Sequence, residues 1–349
     1  MKASYKKYVL DFKRPSGTSR GILNQKETWF LIIENQGKYG IGECGILRGL
    51  SVDDRPDYEE KLQWVCENIS LGKDLLWESL IEFPSIQFGV EMAFLSLEND
   101  DTFVLFPSEF TSGNKVIPIN GLIWMGEQSF MKQQIQEKID QNFTCIKLKI
   151  GAIDFEKELE LLKFIRQNFT SNQIEIRVDA NGAFKPEEAM DKLDLLSELS
   201  IHSIEQPIAK KQIEVMTKLC HETKLPIALD EELIGVFSFE NKENLLKKIQ
   251  PQYIILKPSF VGGIKGTDEW IALAEKYNIG WWITSALESN IGLNAIAQYT
   301  FTKDTNMPQG LGTGSLFTNN FESPLEVVDG KLRYSTSIPW NIDVQSFLK

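Results

Sequence analysis

The sequence predicts an α/β protein, a (β/α)8-type, TIM-like barrel joined to a smaller α+β unit drawn from both ends of the chain. The first supporting observation is a rhythm. From about residue 116, short apolar runs at 117–120, 144–150, 174–179, 201–205, 226–229, 253–257, 280–284 and 309–312 alternate with helix-length amphipathic segments. That spacing matches a parallel barrel. The second observation is what the rhythm lacks. A doubly wound sheet would carry a phosphate-type glycine turn after its first strand, and none follows 117–120.

The composition narrows the partners. The 349 residues are 25% charged with a net charge of −12, and the acidic residues are spread along the chain. This excludes a nucleic-acid or anionic-membrane surface and points to small molecules and a cation. No apolar run approaches the roughly 20 residues of a membrane span, and the start, Met1-Lys-Ala-Ser-Tyr-Lys-Lys, lacks a signal-type apolar segment, so a cytoplasmic protein is expected. Cys44, Cys66, Cys145 and Cys220 are isolated and read as small core residues.

Residues 1–112 form the first unit. Tyr8-Val-Leu-Asp-Phe and Thr28-Trp-Phe-Leu-Ile-Ile-Glu read as strands around a turn-forming, mobile loop at 15–21. Gly40-Ile-Gly-Glu-Cys-Gly45 reads as a strand end turning into a glycine-rich loop, and the charges of 53–60 suggest a solvated helix start. Helices are expected over 57–70 and 84–98, with Phe88, Met92 and Leu95 as a core stripe. Residues 113–321 carry the barrel. Residues 322–349, with the strand-like Lys331-Leu-Arg-Tyr334, are too short to stand alone and are expected to pack back on the first unit.

In a parallel barrel, the carboxyl end of each strand reaches the active-site mouth. Lys147 and Lys149 lie two apart in Cys145-Ile-Lys-Leu-Lys-Ile-Gly151, so a strand projects both from one face. Two ammonium groups so placed repel, which lowers at least one lysine pKa and makes a usable base. The following strand ends bring Asp179 before Ala180-Asn181-Gly182, Glu205 before Gln206-Pro207, Asp230 before Glu231, and Lys257 before Pro258. A lone acid at a strand end is commonly structural. Five successive ends reading base, acid, acid, acid, base form a pattern. Three converging carboxylates call for a hard divalent cation, and oxygen-only ligands suit Mg²⁺, with Mn²⁺ as a substitute.

These residues resemble the enolase superfamily, a family known for a lysine or histidine base with Mg²⁺. Lys147-Leu-Lys149, Asp179-Ala-Asn181, Glu205-Gln-Pro207, Asp230-Glu231 and Lys257-Pro258 are similar to its muconate lactonizing branch, whose catalytic pair is two lysines. The mandelate racemase branch needs a late barrel histidine, and His202 and His221 are the only two here. Within the branch, Thr18-Ser-Arg-Gly21, Gly42-Glu-Cys, Ser285-Ala-Leu-Glu288-Ser and Gly310-Leu-Gly-Thr-Gly314 resemble the dehydratases that form o-succinylbenzoate. Dipeptide epimerases carry Asp-x-Asp where Gly312 and Gly314 stand.

The resemblance implies an α+β capping domain from both termini, Mg²⁺ on Asp179, Glu205 and Asp230, and a small-molecule carboxylate substrate. It implies that Lys149 removes and returns a proton in a syn elimination, while Lys257 stabilises the developing charge from the other side. Lys147, Asn181 and Ser285 are the expected substrate contacts, with Arg20 on the cap loop as a partner for a succinyl end. Trp124 and Trp282 read as barrel packing, with pocket lining as the alternative. Racemisation of N-acylamino acids uses the same lysine pair and stays open, as does a non-catalytic metal-stabilised scaffold. The glycines at 262–263 and 310–314 fail the dinucleotide spacing and read as turns.

Overall fold

A computed structural model describes residues 1–18 and 21–348. The chain opens with an antiparallel sheet, β1 (Lys2–Thr18), β2 (Gly21–Asn35) and β3 (Lys38–Gly45), in the order β1-β2-β3. Strand β2 runs apolar because both its faces are covered. Trp29, Leu31 and Ile33 point into the core of the first unit beside Leu62 and Val65. Phe30 and Ile32, on the alternate face, join the large core shared with the barrel. Three helices pack on this sheet, α1 (Tyr58–Glu67), α2 (Lys73–Ser79) and α3 (Pro84–Glu98). The first and third answer to the expected segments, whereas α2 was not foreseen.

The first hairpin reaches further than expected: in the segment read as a turn-forming, mobile loop, 15–21, the described residues pair as strands, from Ser16 opposite Leu23 to Thr18 opposite Gly21, with an irregularity between Asp11 and Ser16. Arg20 lies outside the described residues. The charges at 57–60 do open α1, with Glu59 and Glu60 exposed in its first turn, whereas Asp53 ahead of them is fully buried and accepts from Ser85 N at 2.9 Å and Ser85 Oγ at 2.6 Å. Burial pushes its carboxyl up to about 6 against the pull of those bonds.

Next comes β4 (Val116–Pro118), which is not the first barrel strand expected at 117–120. It pairs antiparallel with β13 of a carboxyl-terminal hairpin, β12 (Leu325–Val328) and β13 (Lys331–Tyr334). The barrel begins with β5 (Gly121–Ile123) and proceeds through β6 (Cys145–Lys149), β7 (Glu175–Asp179), β8 (Ser203–Glu205), β9 (Ile227–Leu229), β10 (Tyr253–Leu256) and β11 (Gly280–Ile283). These form one parallel sheet in sequence order. Helices α4 (Gln128–Asp140), α5 (Phe155–Asn168), α6 (Pro186–Ser197), α7 (Ile213–Glu222), α8 (Phe239–Ile249), the short α9 (Pro258–Val261), α10 (Gly263–Lys276) and α11 (Asn290–Phe301) occupy the gaps.

The eighth strand expected at 309–312 is reduced to parallel bridges from Gln309 to Ile119 and from Gly310 to Thr284. The glycines that follow favour turns over an extended run. Gln309 completes the closure with its side chain, accepting from Ile283 N at 2.8 Å. Beyond the hairpin, Trp340 stacks on Phe103 at 4.3 Å and Phe347 meets Phe30 edge-on at 5.1 Å.

The first unit caps the barrel through two buried carboxylates. Glu91 on α3 accepts from Ile264 N at 2.5 Å and Lys265 N at 3.0 Å at the start of α10. Glu43 on β3 accepts from Ser289 N at 2.9 Å, Ser289 Oγ at 2.5 Å and Gly292 N at 2.8 Å at the start of α11. Both satisfy helix amino-terminal N–H groups that have no partner within the helix. Among the described residues, no helix is long and apolar enough to cross a membrane.

Candidate active site

Strand register builds the site. Lys149 on β6 is level with Asp179 on β7, and Asp179 is level with Glu205 on β8. Asp230 and Lys257 follow one residue beyond β9 and β10, so five adjacent strands deliver one lateral row. All five side chains and Lys147 are buried or nearly so. Lys147 Nζ lies 2.5 Å from Glu205 Oε2 and 3.1 Å from Asp179 Oδ2. Lys149 Nζ donates to Asp179 Oδ2 at 2.9 Å and to Asn181 Oδ1 at 2.8 Å. At the far end, Lys257 pairs with Asp230 and stands 3.8 Å from Glu205 Oε1.

At Lys147 these contacts outweigh the lysine–lysine repulsion. Burial opposes the charge on Lys147, but Asp179 and Glu205 outweigh it and raise its pKa. Lys257 is raised in the same way, with Asp230 and Glu205 overcoming its burial. The carboxylates divide. Asp179 is held far below the usual range because three lysines outweigh its burial, whereas burial and the neighbouring Asp179 charge push Glu205 up to about 7.

The donor set suits a hard divalent cation. Its oxygens come from three adjacent strand ends, and Glu205 Oε1 is buried with no hydrogen-bond partner among the described residues, a costly condition that a cation would relieve. Among the described residues the acids are not gathered into a closed cluster, since lysine ammonium groups sit against Asp179 Oδ2, Glu205 Oε2 and Asp230 Oδ2.

Lys147, Lys149, Asp179 and Lys257 of the row open onto one cavity. Leu23, Leu47 and Leu50 of the cap face it, as do Asn120, Trp124, Ser285 and Thr313 of the barrel. Trp124 therefore lines the pocket, with Lys149 Nζ 5.9 Å from its ring centre, whereas Trp282 is buried under the Arg177 guanidinium and packs the barrel. Ser285 Oγ is 2.6 Å from Thr313 Oγ1. Asn120, Thr313 and the cap leucines were missed. Asn120 ends an apolar run and Thr313 sits in a glycine motif, so both carried a usable signal. Nothing in the sequence marks a loop leucine as reaching the mouth.

The surrounding loops are anchored. Asn181, at φ 45°, donates its backbone N–H to Asp179 Oδ1 at 3.0 Å, and its Nδ2 donates to Glu231 Oε1 at 3.1 Å, which turns its carbonyl oxygen toward Lys149. Gln206 Oε1 accepts from Asp230 N and Glu232 N, both at 3.2 Å. Glu158 accepts from Gly151 N at 2.7 Å just past β6. The row is thus held in place before any ligand arrives.

Comparison with known proteins identifies relatives of this chain. The Enolase C-terminal domain-like family model matches residues 130–339. An o-succinylbenzoate synthase of Desulfotalea psychrophila is 46% identical over 96% of this chain and 99% of its own length. The crystal structure of MenC from Desulfotalea psychrophila LSv54 superposes with a TM-score of 0.85 at 42% identity, covering 95% of this chain and 99% of that one. A dipeptide epimerase of Enterococcus faecalis V583, solved with Mg and L-Leu-L-Tyr, shares the fold with a TM-score of 0.83 at 18% identity, covering 96% of each chain. With a lysine at each end of an acidic row on a barrel under an α+β cap, and with these relatives, the chain belongs to the enolase superfamily.

Proposed function

We propose that this protein is an o-succinylbenzoate synthase, which dehydrates 2-succinyl-6-hydroxy-2,4-cyclohexadiene-1-carboxylate to o-succinylbenzoate in menaquinone biosynthesis. The observation that supports this most is Lys149 and Lys257 at the two ends of one carboxylate row inside one cavity, in a chain 46% identical to an o-succinylbenzoate synthase. Asp179, Glu205 and Asp230 would hold Mg²⁺, which when bound supplies Lewis-acid charge to the substrate carboxylate.

The chain's own side chains move the proton. Lys149, in its neutral form, takes the ring proton alpha to the carboxylate, with Asp179 and Asn181 aiming its nitrogen. The electron pair of that C–H bond spreads onto the carboxylate, where the Lys147 and Lys257 ammonium groups meet the added charge. The C–O bond to the departing hydroxyl then breaks, and Lys149 returns its proton to that oxygen on the same face. Water leaves, the ring becomes aromatic, and Lys149 is neutral again. Trp124 and the cap leucines keep bulk water from the base.

The test is direct. Purified protein with Mg²⁺ is expected to convert the substrate to o-succinylbenzoate, followed by absorbance, and to stop on addition of EDTA. No product at saturating Mg²⁺ refutes the reading. Bases on opposite sides of the row also suit racemisation, so an N-succinylamino acid incubated in deuterium oxide tests for that second activity by exchange at its alpha carbon.

A further inference from the structure

The loop 284–289 between β11 and α11 gives the cavity Ser285, Ala286 and Leu287. Its backbone is strained, since Leu287 has φ 63°, a left-handed conformation that a bulky side chain resists. Such a turn persists only where its surroundings over-determine it. Within the loop, Leu287 N donates to Ser285 Oγ at 3.2 Å. The barrel holds its ends, with Ser285 N donating to Gly310 O at 3.0 Å, Ser285 Oγ 2.6 Å from Thr313 Oγ1 and Ser259 Oγ donating to Glu288 Oε1 at 2.6 Å, and the cap holds its middle. Lys26 on β2, only 3% exposed, donates to the Ala286 and Leu287 carbonyls, each at 2.9 Å.

The sheet is arranged to present that ammonium. Lys26, Thr28 and Phe30 alternate onto one face of β2, and Glu43 lies opposite Phe30 on β3. Glu43 takes the other end of the loop through Ser289 and Gly292, so two buried charges of the cap grip it on both sides. Gly45 leaves room for the first of them, because a side-chain carbon there would stand 2.9 Å from Lys26 Nζ. A buried ammonium is costly unless its donors are met, and here it donates to two carbonyls of the cavity wall itself.

We propose that Lys26 is a positioning residue for the reaction. From the cap, it fixes the turn at 286–287 and so sets the Ser285 hydroxyl and the Leu287 side chain against the substrate. Substrate binding is thereby tied to a docked cap without Lys26 entering the cavity. The choice of ligand for the test rests on the function proposed above.

The experiment compares wild type, Lys26→Met, Lys26→Arg and a cap-core control, Leu62→Ala, at saturating Mg²⁺. It measures kcat, KM, the calorimetric dissociation constant for o-succinylbenzoate and the melting temperature. Lys26→Met is expected to raise KM and that dissociation constant about tenfold, the scale of losing hydrogen bonds from a charged group, while kcat changes less. Lys26→Arg is expected to recover most of the loss. Leu62→Ala should melt earlier with KM unchanged. Wild-type KM in Lys26→Met, or an equal rise in Leu62→Ala, overturns the proposal. Should Lys26→Met fail to fold, Gly45→Ala, whose methyl displaces the ammonium, decides it, with a raised KM supporting and an unchanged KM overturning. A wild-type protein that neither binds nor forms o-succinylbenzoate refutes the functional reading instead.

Discussion

Removing the Glu43 carboxylate is expected to loosen the cap from the barrel. Glu43 is fully buried and accepts four hydrogen bonds, from Thr28 Oγ1 at 3.0 Å, Ser289 Oγ at 2.5 Å, and the backbone N–H groups of Ser289 and Gly292 at 2.9 and 2.8 Å. In Glu43→Ala the hydroxyls can turn to other acceptors, since Thr28 Oγ1 already lies 3.4 Å from Cys44 O. The two N–H groups cannot, because they point from the first turn of α11 into the space the carboxylate filled. Each stranded buried donor costs roughly 1–3 kcal/mol, so the substitution should cost about 4 kcal/mol. Removing a buried carboxylate also removes its desolvation cost, which offsets part of that loss, and burial does raise the Glu43 pKa despite Lys26 and Ser289. Glu43→Gln keeps the volume and one acceptor and should cost about half as much. Urea unfolding followed by tryptophan fluorescence, with the melting temperature as a second probe, measures both. A loss below about 1 kcal/mol in Glu43→Ala would refute the reasoning, since the stranded donors alone should exceed it.

Lys149→Ala and Lys257→Ala should each reduce kcat by about 10²–10⁴ or more while the melting temperature still rises on adding Mg²⁺; near-normal turnover in either removes that lysine from the mechanism. Magnesium at about 100 times its dissociation constant should stabilise the protein by about 2.7 kcal/mol, read as a thermal shift that Asp230→Asn diminishes. Glu91 gives a pH signature. Burial raises its carboxyl from 4.5 to about 7, so its contribution is full below pH 4.5 and is lost as pH climbs through 7. Wild type should therefore lose on the order of 3 kcal/mol relative to Glu91→Gln between pH 4.5 and 8, and parallel stability curves would contradict this.

Much of the site was legible because a barrel converts linear position into spatial position. Once Asp179, Glu205 and Lys257 stand at the ends of consecutive parallel strands, the direction of those strands alone sends them to one mouth. The alternation of Lys147 and Lys149 likewise needs only the two-residue period of a strand. The apolar run at 28–33 announced a strand, though not that its two faces serve different cores.

The rest depended on who meets whom. Residues 117–120 look like a barrel strand, but Val116–Pro118 pairs with a hairpin more than 200 residues later, and no local pattern encodes that choice. The charges at 59–60 are solvated as they read, but that Asp53 is buried against Ser85, some thirty residues on, is not written in any local pattern. Lys147 looked repelled by its neighbour until Asp179 and Glu205 reversed the balance. By itself the sequence determined the order of the elements and which side chains the strand ends carry, since these follow from short-range periodicity. Only the tertiary structure decided the state of those side chains, because burial and Coulomb energy depend on distances between residues that the chain brings together from far apart.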